Sequence, residues 1–289
     1  MSTLVRTTTR STTRFSGRGV LAAMAAVLAP AIAAAVLLGP IGVDRLVYRT
    51  SETTLNQLLG SDLAALLIAA PLALLAAVLT WREHPAGPVL ATGVGGYAVY
   101  TYAQVVVGQE YLRLPGNVER FFPLLLAIFV LGEALVVLGW RQTEAGLPAP
   151  ARHLERLTGG ALVVLAVFLV VGLHLPTMLT AWTDPAAMTE YASAPTPFWL
   201  VKLMDLGIVV PAALVIGIGL LRGAAWARRA AYPFLTAYAV LSTSVLSMAL
   251  VMLANGDPDA SIGLAAGFAV FSGLLVLLVL AWYRPLFSR

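Results

Sequence analysis

Four ionisable side chains lie well inside long apolar stretches of this chain, where they could carry chemistry: Glu133, His174, Lys202 and Asp205. A charge in a membrane helix costs about 2.5–3.5 kcal/mol on insertion scales, so each needs a reason to be there. Glu133 is the thirteenth residue of the stretch 121–140, near its middle at about 1.5 Å of rise per residue. Its helical neighbours Phe129, Val130, Val136 and Val137 are apolar, so its own helix offers no partner. A carboxyl so placed suits proton carriage or cation binding. It suits equally a neutral acid bonded to a hydroxyl or carbonyl of the next helix.

Lys202 and Asp205 are three apart and share a helix face. The plainer reading is an intrahelical ion pair that eases insertion, with Lys202 snorkelling outward. The sharper one sets Asp205, ahead of Pro211, in a wet cavity that binds a cationic or hydroxylated solute. His174 precedes Pro176 and is the only histidine inside an apolar stretch; His84 and His153 fall in connections. One histidine supplies neither bis-histidine haem ligation nor a three-ligand metal site. Proton relay or a structural hydrogen bond is what remains for it. Tyr97, Tyr100 and Gln104 share one face of the third stretch, and Tyr238 and Ser242 one face of the seventh. Hydroxyl residues also serve helix packing. By depth, these groups lie with Asp205 and His174 in the outer half, above Glu133. The expected site is an outward-facing polar cavity.

The elements that must position these residues are eight apolar stretches: 20–43, 62–81, 86–107, 121–140, 160–182, 198–221, 230–254 and 261–283. Each approaches the roughly 20 residues that an α-helix needs to cross a bilayer. Hydrophobic residues make up 60% of the chain and charged ones 11%, against about 45–50% and about 25% in soluble proteins. The expected fold is an all-α integral membrane bundle of eight transmembrane helices, its partner the lipid bilayer. Too little chain is left for a soluble domain, and no Walker-type phosphate loop occurs, so nucleic-acid, kinase and ATPase roles drop out. With no cysteine there are no disulfides or thiolate metal sites. No cofactor is expected.

Arginine orients the bundle. Basic residues in short loops stay in the cytoplasm. Thirteen of the seventeen arginines lie in the N-terminal tail, the even-numbered loops and the C-terminus; only Arg45, Arg49, Arg113 and Arg120 lie on the other side. Both termini should be cytoplasmic, in a bacterial plasma membrane. The expected organisation is a basic tail at 1–19, a four-helix unit at 20–140, a linker at 141–159, a second unit at 160–283 and a short tail at 284–289.

The two units share a spacing. Pro71 and Pro211 each stand eleven residues before an arginine, Arg82 and Arg222, and Tyr-Ala-Val follows in the next helix at Tyr97–Val99 and Tyr238–Val240. A 4+4 parallel duplication would account for this. The Asp62-Leu63…Pro71 segment, Gly96-Tyr97 and the run Leu203–Pro211 resemble a group of bacterial eight-span membrane proteins. The resemblance covers helices 2–4 and 5–7 loosely and implies a scaffold, with no activity attached.

Enzyme motifs are wanting. No His-x4-Asp pattern occurs, Phe271-Ser272-Gly273 lacks the glycine of a serine-protease loop, and Asp257-Pro258-Asp259 sits in an Asn-Gly turn that turn chemistry explains. No nucleophile–base or metal constellation emerges. Two functions stay open: transport of a small solute or ion, protons included, or a non-enzymatic membrane scaffold or accessory subunit.

Overall fold

A computed structural model describes residues 17–288, so the expected basic tail lies outside it up to residue 16. Every regular element there is helical. The long helices are α1 (Gly17–Leu38), α2 (Glu52–Trp81), α3 (Ala86–Val107), α4 (Val118–Gln142), α5 (Arg152–Thr183), α6 (Pro195–Arg222), α7 (Ala225–Ala254) and α8 (Ile262–Phe287). Seven of these are long and apolar enough to cross a membrane. The exception is α3. It has 22 residues, enough length, but carries glycines, tyrosines and a glutamine. Fifteen of its residues are buried, because neighbouring helices surround it.

Several helices outrun the apolar stretches that announced them. Helix α2 begins ten residues before 62, where the Ser51 hydroxyl accepts from the Thr54 amide and Glu52 occupies the first turn. Both are helix-start signals. Helix α1 stops at Leu38, short of the expected 43. The chain folds back there through Gly42, where a Cβ would collide with the Leu37 carbonyl. Half of the expected 141–159 linker is helical, since α5 starts at Arg152.

Three helices widen into π turns: Ala65–Ala69 in α2, Phe168–His174 in α5 and Asp205–Val209 in α6. Each ends two residues before a proline, Pro71, Pro176 or Pro211. Proline has no N–H to donate, and its ring clashes with the carbonyl four residues back; a wider turn relieves both. Pro30, Pro233 and Pro285 sit inside α1, α7 and α8 without such a turn.

Two apolar cores form. One is built almost wholly from α1–α4, the other chiefly from α5–α8. They meet where α7 lies against α2 and α3. A Cβ on Gly60 of α2 would strike the backbone of Met248 in α7, so glycine is what lets those helices touch.

Polar contacts fix both ends of the bundle. At one end Arg18 lies 3.8 Å from both Glu83 and Glu144, and Gln142 donates to the Gly17 carbonyl at 2.8 Å. Buried Glu155 receives Arg152 and Arg228, each at 2.6 Å. At the other end Arg49 binds Glu119 through two nitrogens, at 2.6 and 2.9 Å. That hydrogen bond holds the Arg49 guanidinium above its usual basicity. Buried Glu110 accepts from the Thr196 amide at 2.7 Å, tying the loop after α3 to the start of α6.

Candidate functional site

Helix α3 forms the floor of the region where the polar residues gather, with α4, α6 and α7 around it. Helix α4 packs on α1 and α3, and α6 on α5 and α7. Between α4 and α6 a cavity of about 730 Å³ remains. Gly96, Tyr97 and Tyr100 contribute from α3, and Phe234 and Tyr238 from α7. Its rim residues Val137 and Ile208 are more than half exposed, so it opens on the flank of the bundle.

Glu133 lines this groove. It is exposed there and has neither a hydrogen bond nor an ion pair among the described residues. It is the only carboxylate among the described lining residues. Seven residues further along α4, Trp140 closes the arginine-rich end. Arg229 of α7 stacks on its ring at 4.1 Å and donates to its carbonyl. The wall is therefore apolar and aromatic, and the groove reaches from Trp140 to about the middle of α3. This differs from the expected polar cavity in the outer half.

The polar residues lie mostly behind that wall. Asp205 accepts from the Tyr100 hydroxyl at 2.5 Å and pairs with His174 Nε2 at 2.8 Å. Helices α3, α5 and α6 thus meet at one carboxylate. His174 ends one π turn and Asp205 begins another, and such turns are frequent at functional sites. His174 Nδ1 is buried without a partner among the described residues. Gln104 lies beside the Tyr100 hydroxyl, one turn along α3.

Lys202 does not close on Asp205. Its ammonium sits over the Phe198 ring, 3.2 Å from the centroid, one helical turn back on α6. Tyr97 shows its ring to the groove but turns its hydroxyl to Ser244 of α7 at 3.0 Å. Ser242 faces away: its hydroxyl donates to the Ala239 carbonyl, and its own carbonyl accepts from Ser272 of α8. The structure thus gathers Tyr100, Gln104, His174 and Asp205 in one cluster. It sets Glu133 in the groove beside them and leaves Lys202 and Ser242 elsewhere.

A second buried cluster escaped the sequence. Asp62 is buried on α2 and accepts from the Tyr48 hydroxyl at 2.8 Å. Burial foremost, then Asp62, pushes the Tyr48 phenol well above its ordinary range. Nearby, Asn56 donates to Asp257 at 2.8 Å and accepts from Asn255 at 2.7 Å. The Asn255–Asp259 turn is therefore also a clasp on α2. The Ser51 cap was the signal that could have placed Asn56 inside α2 and Asp62 well within it rather than at its start. No three of the described His, Asp and Glu residues are grouped as a metal site requires.

No protein-family model, curated protein or solved structure matches the chain.

Proposed function

We propose that this chain is an eight-span carrier of the bacterial plasma membrane, both termini cytoplasmic, that moves a small solute through the groove between its halves. The observation that carries this reading is Glu133, a carboxyl at the middle of a helix with no partner among the described residues, facing a cavity of about 730 Å³. Ionisable groups inside membranes concentrate on solute and proton paths. Glu133 is the group that passes between a proton and the solute. Asp205, one tyrosine away, is the second proton site, with His174 as its relay partner. The separate cores suit two four-helix units of common origin, and the arginine count suits the orientation. The scaffold also suits the group of bacterial eight-span proteins that its short motifs resemble.

The test is proton movement in liposomes that hold the full chain and a trapped pH dye. A panel of organic cations, amino acids and sugars is added outside. At least one class should drive proton movement, and Glu133→Gln should slow it at least tenfold. Silence across the panel, or unchanged rates in both Glu133→Gln and Asp205→Asn, would remove the carrier reading.

A specific observation favours the scaffold as the second reading. Asp205 is fully engaged by Tyr100 and His174, Lys202 rests on Phe198, and Tyr97 bonds Ser244, so most intramembrane polar groups satisfy one another.

A further inference from the structure

We infer that the groove between α4 and α6 is a binding site for a lipophilic organic monocation, with the Glu133 carboxylate as its counter-ion. The inference rests on the carrier reading above and names its substrate class. The size is right for one molecule: about 730 Å³ lies within the roughly 300–1,000 Å³ of small-molecule sites. The wall chooses the ligand's body. Tyr97, Tyr100, Phe234 and Tyr238 present rings among aliphatic side chains. Ring faces attract cations, and the chain itself uses them so, with Arg229 over Trp140 and Lys202 over Phe198.

Charge chooses among the occupants. A neutral lipid chain or an anion would leave Glu133 unmatched in an apolar setting. A bare metal ion of the calcium type wants about 6–8 oxygens. Here it would find one carboxylate and the Tyr238 hydroxyl, because the Tyr100 hydroxyl is given to Asp205 and that of Tyr97 is bonded to Ser244. A cation carrying apolar groups satisfies both wall and carboxylate. The charged groups around the groove agree. Asp205 of α6 lies behind Tyr100, already paired with His174. Arg229 of α7 fills the Trp140 end, about 10 Å from Glu133 along α4. The open cation position is beside Glu133.

The probes are tetraphenylphosphonium and tetraphenylborate, of one shape and opposite charge, bound at equilibrium to the purified full chain in detergent. The phosphonium should bind at least tenfold more tightly than the borate. Glu133→Gln should erase that preference. Gly96→Leu should abolish binding of both, because it fills the floor where a Cβ meets only Ala237, at 3.7 Å. The comparison of the two ions on the unaltered chain decides the matter even if a variant fails to fold. Equal affinity for both ions, or no phosphonium binding, overturns the inference. Solute-driven proton movement that persists in either case leaves the carrier reading intact. Tight phosphonium binding with no flux for any solute would do the reverse, keeping this site and ending the carrier reading.

Discussion

Burial decides what a polar side chain does here, and residues of the same type part ways because of it. Asp62 and Asp205 both accept from a tyrosine hydroxyl, at 2.8 and 2.5 Å, while Glu133 accepts from nothing among the described residues. The first two are satisfied groups and the third an open one. The satisfied bonds have a measurable cost of removal. Tyr48→Phe keeps the ring and deletes the donor, leaving the buried Asp62 carboxyl short of a partner at about 1–3 kcal/mol. The full chain in detergent should lose that much stability in thermal or denaturant unfolding. Tyr191→Phe should lose nothing, since the contacts of Tyr191 are ring contacts that the change preserves. Glu133→Gln, by contrast, should leave stability unchanged while altering flux and binding. A stability loss as large as that of Tyr48→Phe would make Glu133 structural.

Helices in this chain meet through small residues and are interrupted at prolines. The approach of α2 to α7 depends on Gly60, where any side chain meets the Met248 backbone. Gly60→Leu should destabilise the full chain by about 1–3 kcal/mol, the usual cost of overpacking. Gly160→Leu adds the same atoms where a Cβ meets nothing within 4 Å and should cost little. Equal effects from the two would mean that α2 and α7 do not touch in this way. The π turns offer a caution about internal repeats. Ala65–Ala69 and Asp205–Val209 fall at the same register to Pro71 and Pro211, which looks like an inherited feature. Phe168–His174 stands the same way to Pro176 in α5, which has no place in that alignment. The shared register therefore does not single out the two aligned helices, and the duplication must rest on other grounds.

At the scale of the molecule, the arginine-rich ends of the helices are bound to one another on one face, and the loops with Arg49 and Glu110 on the other. Which face is cytoplasmic is testable because the chain has no native cysteine. Gly146→Cys, between α4 and α5, and Leu112→Cys, between α3 and α4, place single thiols at exposed positions on the two faces. A membrane-impermeant maleimide added to intact cells should label Leu112→Cys at once and Gly146→Cys only after permeabilisation. The opposite pattern would invert the topology; labelling of both from outside would break the alternation of helices.

Hydropathy and the spread of arginine needed nothing beyond the sequence. An apolar run of bilayer length has one stable form, a helix, because every backbone N–H and C=O must be satisfied internally. Charge at its ends then orients it. Hydropathy names helices well where their apolar side chains face outward. It weakens for α3, which protein surrounds, and for the first turns of α2 and α5, which are helical but polar. Depth along a helix also set Asp205, His174 and Tyr100 at one level. Only the tertiary structure decided which faces turned together. It joined those three, sent Ser242 toward α8, drew Lys202 onto Phe198 and opened an apolar groove at Glu133. The physical reason is that a helix fixes the direction of its side chains only relative to its own axis. Its rotation against its neighbours is set by close packing at places such as Gly60, and no periodicity in the sequence reports it.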